Sequence, residues 1–150
     1  LSEFGHNDLA YALFLREEYP SWLFSVRQGA TTIWEHWDGI MENGDFWSPD
    51  MNSFNHYAYG AVADWVYEKA AGICLLEDAP GFSRVRIHPM PDKRLDWLEA
   101  SIETRNGKIR SCWKYEDHGI RYEISVPVEA EIQIGQKVMI VKPGEYIFWD

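Results

Sequence analysis

Gly119-Ile120-Arg121-Tyr122-Glu123-Ile124-Ser125-Val126 decides the fold of the second half of this 150-residue chain. Ile120, Tyr122, Ile124 and Val126 point one way, while Arg121, Glu123 and Ser125 point the other. That period of two is the mark of a half-buried strand. Just upstream, Ile109, Trp113 and Tyr115 alternate with Lys108, Arg110, Cys112 and Lys114. Downstream, Ile132/Ile134, Val138/Ile140 and Tyr146/Phe148 keep the same rhythm. Asn106-Gly107 is a strong hairpin signal, and Asp117-His118-Gly119, Gly135-Gln136 and Pro143-Gly144 punctuate the rest. Short strands at this spacing predict an antiparallel β-sandwich over residues 82–150.

Before about Gly72 the period changes. His6-Asn7-Asp8 offers an N-cap for a helix that presents Leu9, Ala12 and Leu13, with Ala10 and Phe14 beside them. That helix is expected to reach Glu18 and stop ahead of Tyr19-Pro20, since a residue before proline avoids the helical region. Pro20 then suits the first turn of a short second helix through Trp22, Phe24 and Val26. A third helix is expected from Asn55-His56, apolar or small on nearly every side from Tyr59 to Ala71. Such a helix belongs buried among others. Three helices cannot surround it, so the first half reads as an arc of something larger, and Leu1 falls within what reads as the middle of an element. The chain is therefore α plus β in two parts: residues 1–76 helical, 77–81 a polar Pro/Gly linker, and 82–150 the sandwich.

Composition narrows the function. Hydrophobic residues make up 46% and charged residues 25%, the balance of a globular chain rather than a disordered one. No apolar run approaches the roughly 20 residues that span a bilayer, which speaks against a membrane role. A net charge of −10 with scattered basic residues argues against nucleic-acid phosphates as a partner. Cys74 and Cys112 lack neighbours at metal spacing and read as apolar thiols rather than as a disulfide or ligand pair. Aromatic residues reach 15%, with eight Trp and eight Tyr. Large aromatics cover sugar C–H faces well, although a large core explains the same number.

The chemistry concentrates in Gln28-Gly29-Ala30-Thr31-Thr32-Ile33-Trp34-Glu35-His36-Trp37-Asp38-Gly39, followed by Asp45, Phe46, Trp47 and Asp50. Carboxylates set among indoles suit sugar hydrolysis, because the rings stack on substrate and thin out water around acid groups. A purely structural reading stands beside it: Thr32-x-x-Glu35 fits a capping box, Asn55-His56 fits the start of the third helix, and Trp34 and Trp37 fit a core. No metal or other cofactor is implied, since Glu35, His36 and Asp38 lack the spaced His pair of a helix-borne zinc site.

Gly29-Ala30-Thr31-Thr32-Ile33-Trp34-Glu35-x-Trp37-Asp38, then Ser53-Phe54-Asn55-His56-Tyr57-Ala58-x-Gly60-Ala61-Val62-x-Asp64-Trp65, resembles the bacterial alpha-L-rhamnosidases. Tyr19-Pro20-Ser21-Trp22 upstream, and Pro80-Gly81-Phe82-x-Arg84 with Ile87-His88-Pro89 downstream, extend the likeness over nearly the whole chain. The resemblance implies the closing helices of an (α/α)6 toroid followed by a C-terminal β-sandwich, in an inverting glycoside hydrolase that acts on rhamnosides. It implies Glu35 as the general base and His56 as a partner of rhamnose hydroxyls. Trp34 and Trp37 flank the base and are candidates to shape the sugar pocket; Asp38 is close enough to act on Glu35 by like charge or to hold a water. The general acid of the family belongs to an acidic, Arg-bearing stretch far upstream that this chain lacks, and Asp45 and Asp50 have no claim on the role. The chain alone is therefore expected to be inactive, with the rest of the catalytic domain as its natural partner.

Three other readings remain open at this stage. Another toroid glycosidase would also set a carboxylate near tryptophans. A non-catalytic carbohydrate-binding sandwich would use Trp97, Trp113 or Trp149 as platforms, although Trp113 shares its face with Ile109. A self-contained interaction protein is the third. In any of these, the apolar helical half of the isolated chain invites homo-oligomers.

Overall fold

The computed structural model describes residues 1–150, which divide into two compact units, Leu1–Ala63 and Asp64–Asp150. In the first unit, α1 spans Asn7–Phe14 and α2 spans Trp22–Arg27. Helix α1 stops short of the expected Glu18. Its end is closed by the Leu15 N–H on the Tyr11 carbonyl, and the charged residues beyond it bond elsewhere. Arg16 donates to the Tyr19 carbonyl and Glu17 pairs with Arg27 at 2.9 Å. Pro20 sits one residue ahead of the cap rather than inside α2; Ser21 is the N-cap, its hydroxyl accepting the Phe24 N–H at 3.0 Å.

The third helical stretch is not one uniform helix. A 3-10 turn over Ala58–Ala61 leads into α3, Val62–Trp65, and a π turn over Val66–Ala70 leads out. The expected burial on all sides is not found: Tyr57, Ala58, Ala61, Ala63 and Tyr67 are exposed. Elsewhere in the first unit Phe4, Leu9, Leu13 and Val26 are exposed as well. Sequence pattern marked Leu9, Leu13, Val26, Ala61, Ala63 and Tyr67 as suited to burial, but this chain places neighbours on only part of their surface. The helical stretch ends at Gly72, whose φ of +77° is the left-handed terminator of a helix. A Cβ there would lie 2.0 Å from the Pro89 nitrogen, so only glycine lets the two backbones meet. The His88 N–H bonds the Gly72 carbonyl at 2.8 Å.

The second unit carries two four-stranded sheets. One is ordered β1 (Ile73–Leu75), β2 (Val85–Ile87), β6 (Ala130–Ile134), β7 (Lys137–Val141). The other is ordered β3 (Trp97–Thr104), β4 (Gly107–Glu116), β5 (Gly119–Val126), β8 (Gly144–Trp149). Glu77–Gly81 connects β1 to its neighbour β2. All ladders are antiparallel except one: β2 pairs parallel with β6, because the chain leaves β2, builds three strands of the other sheet and returns in the same direction. The β3–β4 turn is shifted by one residue from the Asn-Gly expectation. Thr104 pairs with Gly107, so Arg105 and Asn106 form the loop and Gly107 opens β4.

The alternation read from sequence holds the core except in β7, where Met139 and Val141 pack inward and Val138 and Ile140 are exposed. Ile109, Trp113, Tyr122, Ile124 and Val126 are buried against Val85, Ile87, Ile132 and Ile134 of the other sheet. Two buried polar groups reach the end of the helical stretch, whose last carbonyls need donors. The Ser111 hydroxyl donates to the Ala71 carbonyl at 2.6 Å, and the Trp113 indole N–H to the Ala70 carbonyl at 2.8 Å. Cys74 and Cys112 are free and half-buried, and burial pushes the Cys74 thiol up to about 11.

His88 is held below its ordinary value of 6.5, first by burial and then by the charges of Arg86 and Lys69, with Glu131 opposing. The folded unit thus favours the neutral ring, while the unfolded chain takes up a proton below about 6.5. Stability from this site is complete above that pH and is lost as pH falls towards the folded-state value. Thermal melts between pH 7 and pH 5 should show a falling midpoint, and His88→Gln should make that fall shallower. An unchanged slope in the variant would remove His88 from the account.

Candidate active site

The Gly29–Asp38 segment follows α2 as an irregular loop, not as a helix start. The capping-box reading of Thr32 and Glu35 is therefore set aside. The Thr32 hydroxyl instead donates to the Phe54 carbonyl. The Glu35 N–H donates to the Ser53 carbonyl at 3.0 Å, and the His56 N–H to the Ile33 carbonyl at 2.8 Å. These three bonds lace 32–35 to 53–56, so two motifs about twenty residues apart in sequence become adjacent backbones. Glu35 and His56 are both half-buried, neither sealed nor fully in solvent.

The aromatic residues hold this loop in shape. Trp34 is 6% exposed and meets Phe54 edge-on at 5.2 Å. Gly39 packs where a Cβ would lie 3.1 Å from both of those rings. Trp37 stacks on Tyr59 at 3.8 Å and meets the edge of Trp22 at 5.1 Å. The Trp22 indole N–H donates to the Tyr59 carbonyl at 2.9 Å, and the Ser25 hydroxyl to the Trp37 carbonyl at 2.7 Å. His36 stacks on Trp47 at 3.7 Å. Behind the loop a small hollow of about 60 Å³ is lined by Trp22, Thr32, Ile33, Trp34, Trp37 and Tyr59.

Asp38 faces a different space. It lines an open hollow of about 420 Å³ with Tyr19, Phe24, Met41, Glu42 and Asn43. Glu35 lines neither hollow, so the structure brings Glu35 next to the His56 segment but sets Asp38 toward its own recess. Tyr59, the Trp22–Tyr59 bond and the recess around Asp38 were not singled out from the sequence. Their partners lie up to 37 residues apart, and no local pattern signals such pairs. His56 does take a structural bond: its Nδ1 accepts the Ala58 N–H at 3.3 Å, which assigns the ring hydrogen to Nε2. That leaves Nε2–H as a donor. Asp45 is tied into a turn by the Asn43 amide at 2.7 Å, and Asp50 is exposed in the next turn. No group of three or more His, Cys, Asp or Glu side chains converges at metal-binding geometry.

The chain carries part of a glycosidase domain built from helical hairpins and part of the C-terminal domain that follows it. Residues 1–70 match the family described as the bacterial alpha-L-rhamnosidase 6 hairpin glycosidase domain, and residues 72–141 the bacterial alpha-L-rhamnosidase C-terminal domain. The chain belongs to the bacterial alpha-L-rhamnosidase family. An alpha-L-rhamnosidase of Formosa agariphila is 41% identical over 89% of this chain. The structure of a Streptomyces avermitilis alpha-L-rhamnosidase complexed with L-rhamnose superposes with a TM-score of 0.86, at 31% identity over 97% of the chain. Native alpha-L-rhamnosidase from Aspergillus terreus gives 0.88, also at 31% identity, over 99%. The chain spans 14%, 16% and 18% of those three proteins respectively.

Proposed function

We propose that this chain supplies the general-base side of an inverting alpha-L-rhamnosidase active site, completed by further parts of a longer catalytic domain. The observation that carries the reading is the lacing of 32–35 to 53–56, which sets the Glu35 and His56 segments side by side. Glu35 takes a proton from water as the water oxygen bonds to the anomeric carbon. The glycosidic C–O bond breaks on the opposite face, and the departing oxygen takes a proton from an acid beyond this chain. Two carboxyl groups in such an enzyme stand about 6.5–9.5 Å apart, which leaves room for the water. The Nε2–H of His56 is a donor suited to a sugar hydroxyl. Trp34 and Trp37 shape the pocket by fixing the loop.

Release of 4-nitrophenol from a panel of aryl glycosides tests this reading. A full-length family member carrying this segment should cleave the alpha-L-rhamnoside in preference to the other sugars, while the 150-residue chain alone should cleave none. Activity of the chain alone near that of the full-length protein would overturn the division of labour. Preference for another sugar would reassign the substrate.

A further inference from the structure

Helix α2 reaches both halves of the laced loop from one face. Trp22 and Ser25 lie three residues apart, a spacing that sets their side chains next to each other on a helix. The Trp22 indole N–H donates to the Tyr59 carbonyl at 2.9 Å, and the Ser25 hydroxyl to the Trp37 carbonyl at 2.7 Å. The two residues held in this way stack on each other, with ring centres 3.8 Å apart and planes within 14° of parallel. Trp22 closes the set by meeting Trp37 edge-on at 5.1 Å. A circuit therefore runs from α2 to the Glu35 segment, across the stack to the His56 segment, and back to α2.

The helix is the firm end of this circuit. Ser21 caps it and is buried, and Phe24 and Ser25 are buried with it. The loop is the soft end, since residues 29–38 form no helix or strand of their own. Behind it lies the hollow of about 60 Å³, which Trp22, Ser25, Trp34, Trp37 and Tyr59 help to line. Ligand pockets begin at roughly 300 Å³, so these side chains frame no second sugar site. The hollow also leaves the loop short of packing contacts on that side. Directed hydrogen bonds, and not dense packing, then decide where the loop stands.

We propose that Trp22 and Ser25 are positioning residues for Glu35, a clamp on α2 that sets the place of the carboxylate by holding the Trp37–Tyr59 stack. The inference rests on the general-base role proposed for Glu35. Each residue acts through the backbone of the loop and not on the sugar. A base that is slightly displaced still admits substrate but meets the attacking water poorly. The loss therefore falls on kcat and spares KM.

Steady-state kinetics of Trp22→Phe and Ser25→Ala test this in a full-length family member carrying this segment, each change made alone and together with Glu35→Gln. Phe keeps a ring against Trp37 and removes the N–H. Ala removes one hydroxyl, and it carries the test by itself should Trp22→Phe fail to fold. With an aryl alpha-L-rhamnoside, each single variant should lower kcat about tenfold, where a misplacement of about 1 Å costs about 10²-fold. KM should stay within about twofold of the parent, the mark of a group that acts on the chemical step. In the Glu35→Gln background the same changes should lower the residual kcat by less than about twofold, because a base already removed cannot be misplaced. A merely structural role would cost the same factor in both backgrounds. Equal losses in both backgrounds would overturn the clamp and leave the base reading standing. So would parent-like kcat in the single variants beside a strongly impaired Glu35→Gln. Full turnover by Glu35→Gln alone would overturn the base reading, and the clamp with it.

Discussion

Glu35→Gln in a full-length family member carrying this segment is expected to lower kcat for an aryl rhamnoside by about 10²- to 10⁴-fold, the range in which a general base acts. The exchange keeps the length and planarity of the side chain while removing its capacity to accept a proton. The loop is held by backbone and hydroxyl bonds: Thr32 to Phe54, Glu35 N–H to Ser53, His56 N–H to Ile33. None of these uses the Glu35 carboxylate, so circular dichroism and the melting midpoint should match the parent. KM should move far less than kcat, since an uncharged amide can still occupy the pocket. Azide provides a second readout. It carries no proton to remove, so it should restore turnover to a variant that lacks only its base, forming a glycosyl azide in place of the free sugar. Full activity in Glu35→Gln would remove Glu35 from the role; loss of activity together with the fold would mark the residue as structural.

The loop of residues 29–38 shows where sequence reading reaches and where it stops. The family resemblance, rather than the residues taken by themselves, marked Glu35 and His56 as candidates, and a period of two marked the core strands from Ile109 to Val126. What joins Glu35 to the His56 segment is a set of backbone bonds, and any residue type can make these. No composition signals them. Local rules also misplaced particular boundaries. Asn106-Gly107 read as a turn centre, yet Thr104 pairs with Gly107, so the ladder shifted the loop back to Arg105-Asn106. Glu18 looked helical by pattern, but Arg16 and Glu17 found partners outside the helix. The parallel β2–β6 pair depends on a connection through the opposite sheet, a matter of topology that strand periodicity does not contain. The same holds for Trp97 and Trp149. Each was legible as an aromatic on a strand, but only the register across β4 and β5 puts them on one line.

Trp113 separates the two faces of that sheet most sharply, and Trp113→Ala is expected to destabilise the second unit by about 3–5 kcal/mol. The ring is fully buried, meets Tyr115 edge-on at 5.9 Å, and stands in a cross-strand row with Leu98 and Tyr122. Truncation leaves a cavity that neighbouring strands cannot close, since their positions are fixed by the ladders on either side. It also strips the Ala70 carbonyl of its indole donor, leaving an end of the helical stretch without that partner. Urea unfolding followed by circular dichroism should show a lower midpoint with little change in slope. Trp97→Ala, sixteen residues earlier and on the outer face, should fall within about 0.5 kcal/mol of the parent. Should Trp113→Ala fail to fold at all, Trp113→Phe retains most of the ring and loses the N–H. That variant should cost less than Trp113→Ala and still more than Trp97→Ala. Equal midpoints for the Trp97 and Trp113 variants would contradict the assignment of opposite faces, because burial of one row and exposure of the other is what the alternation in β3 and β4 requires.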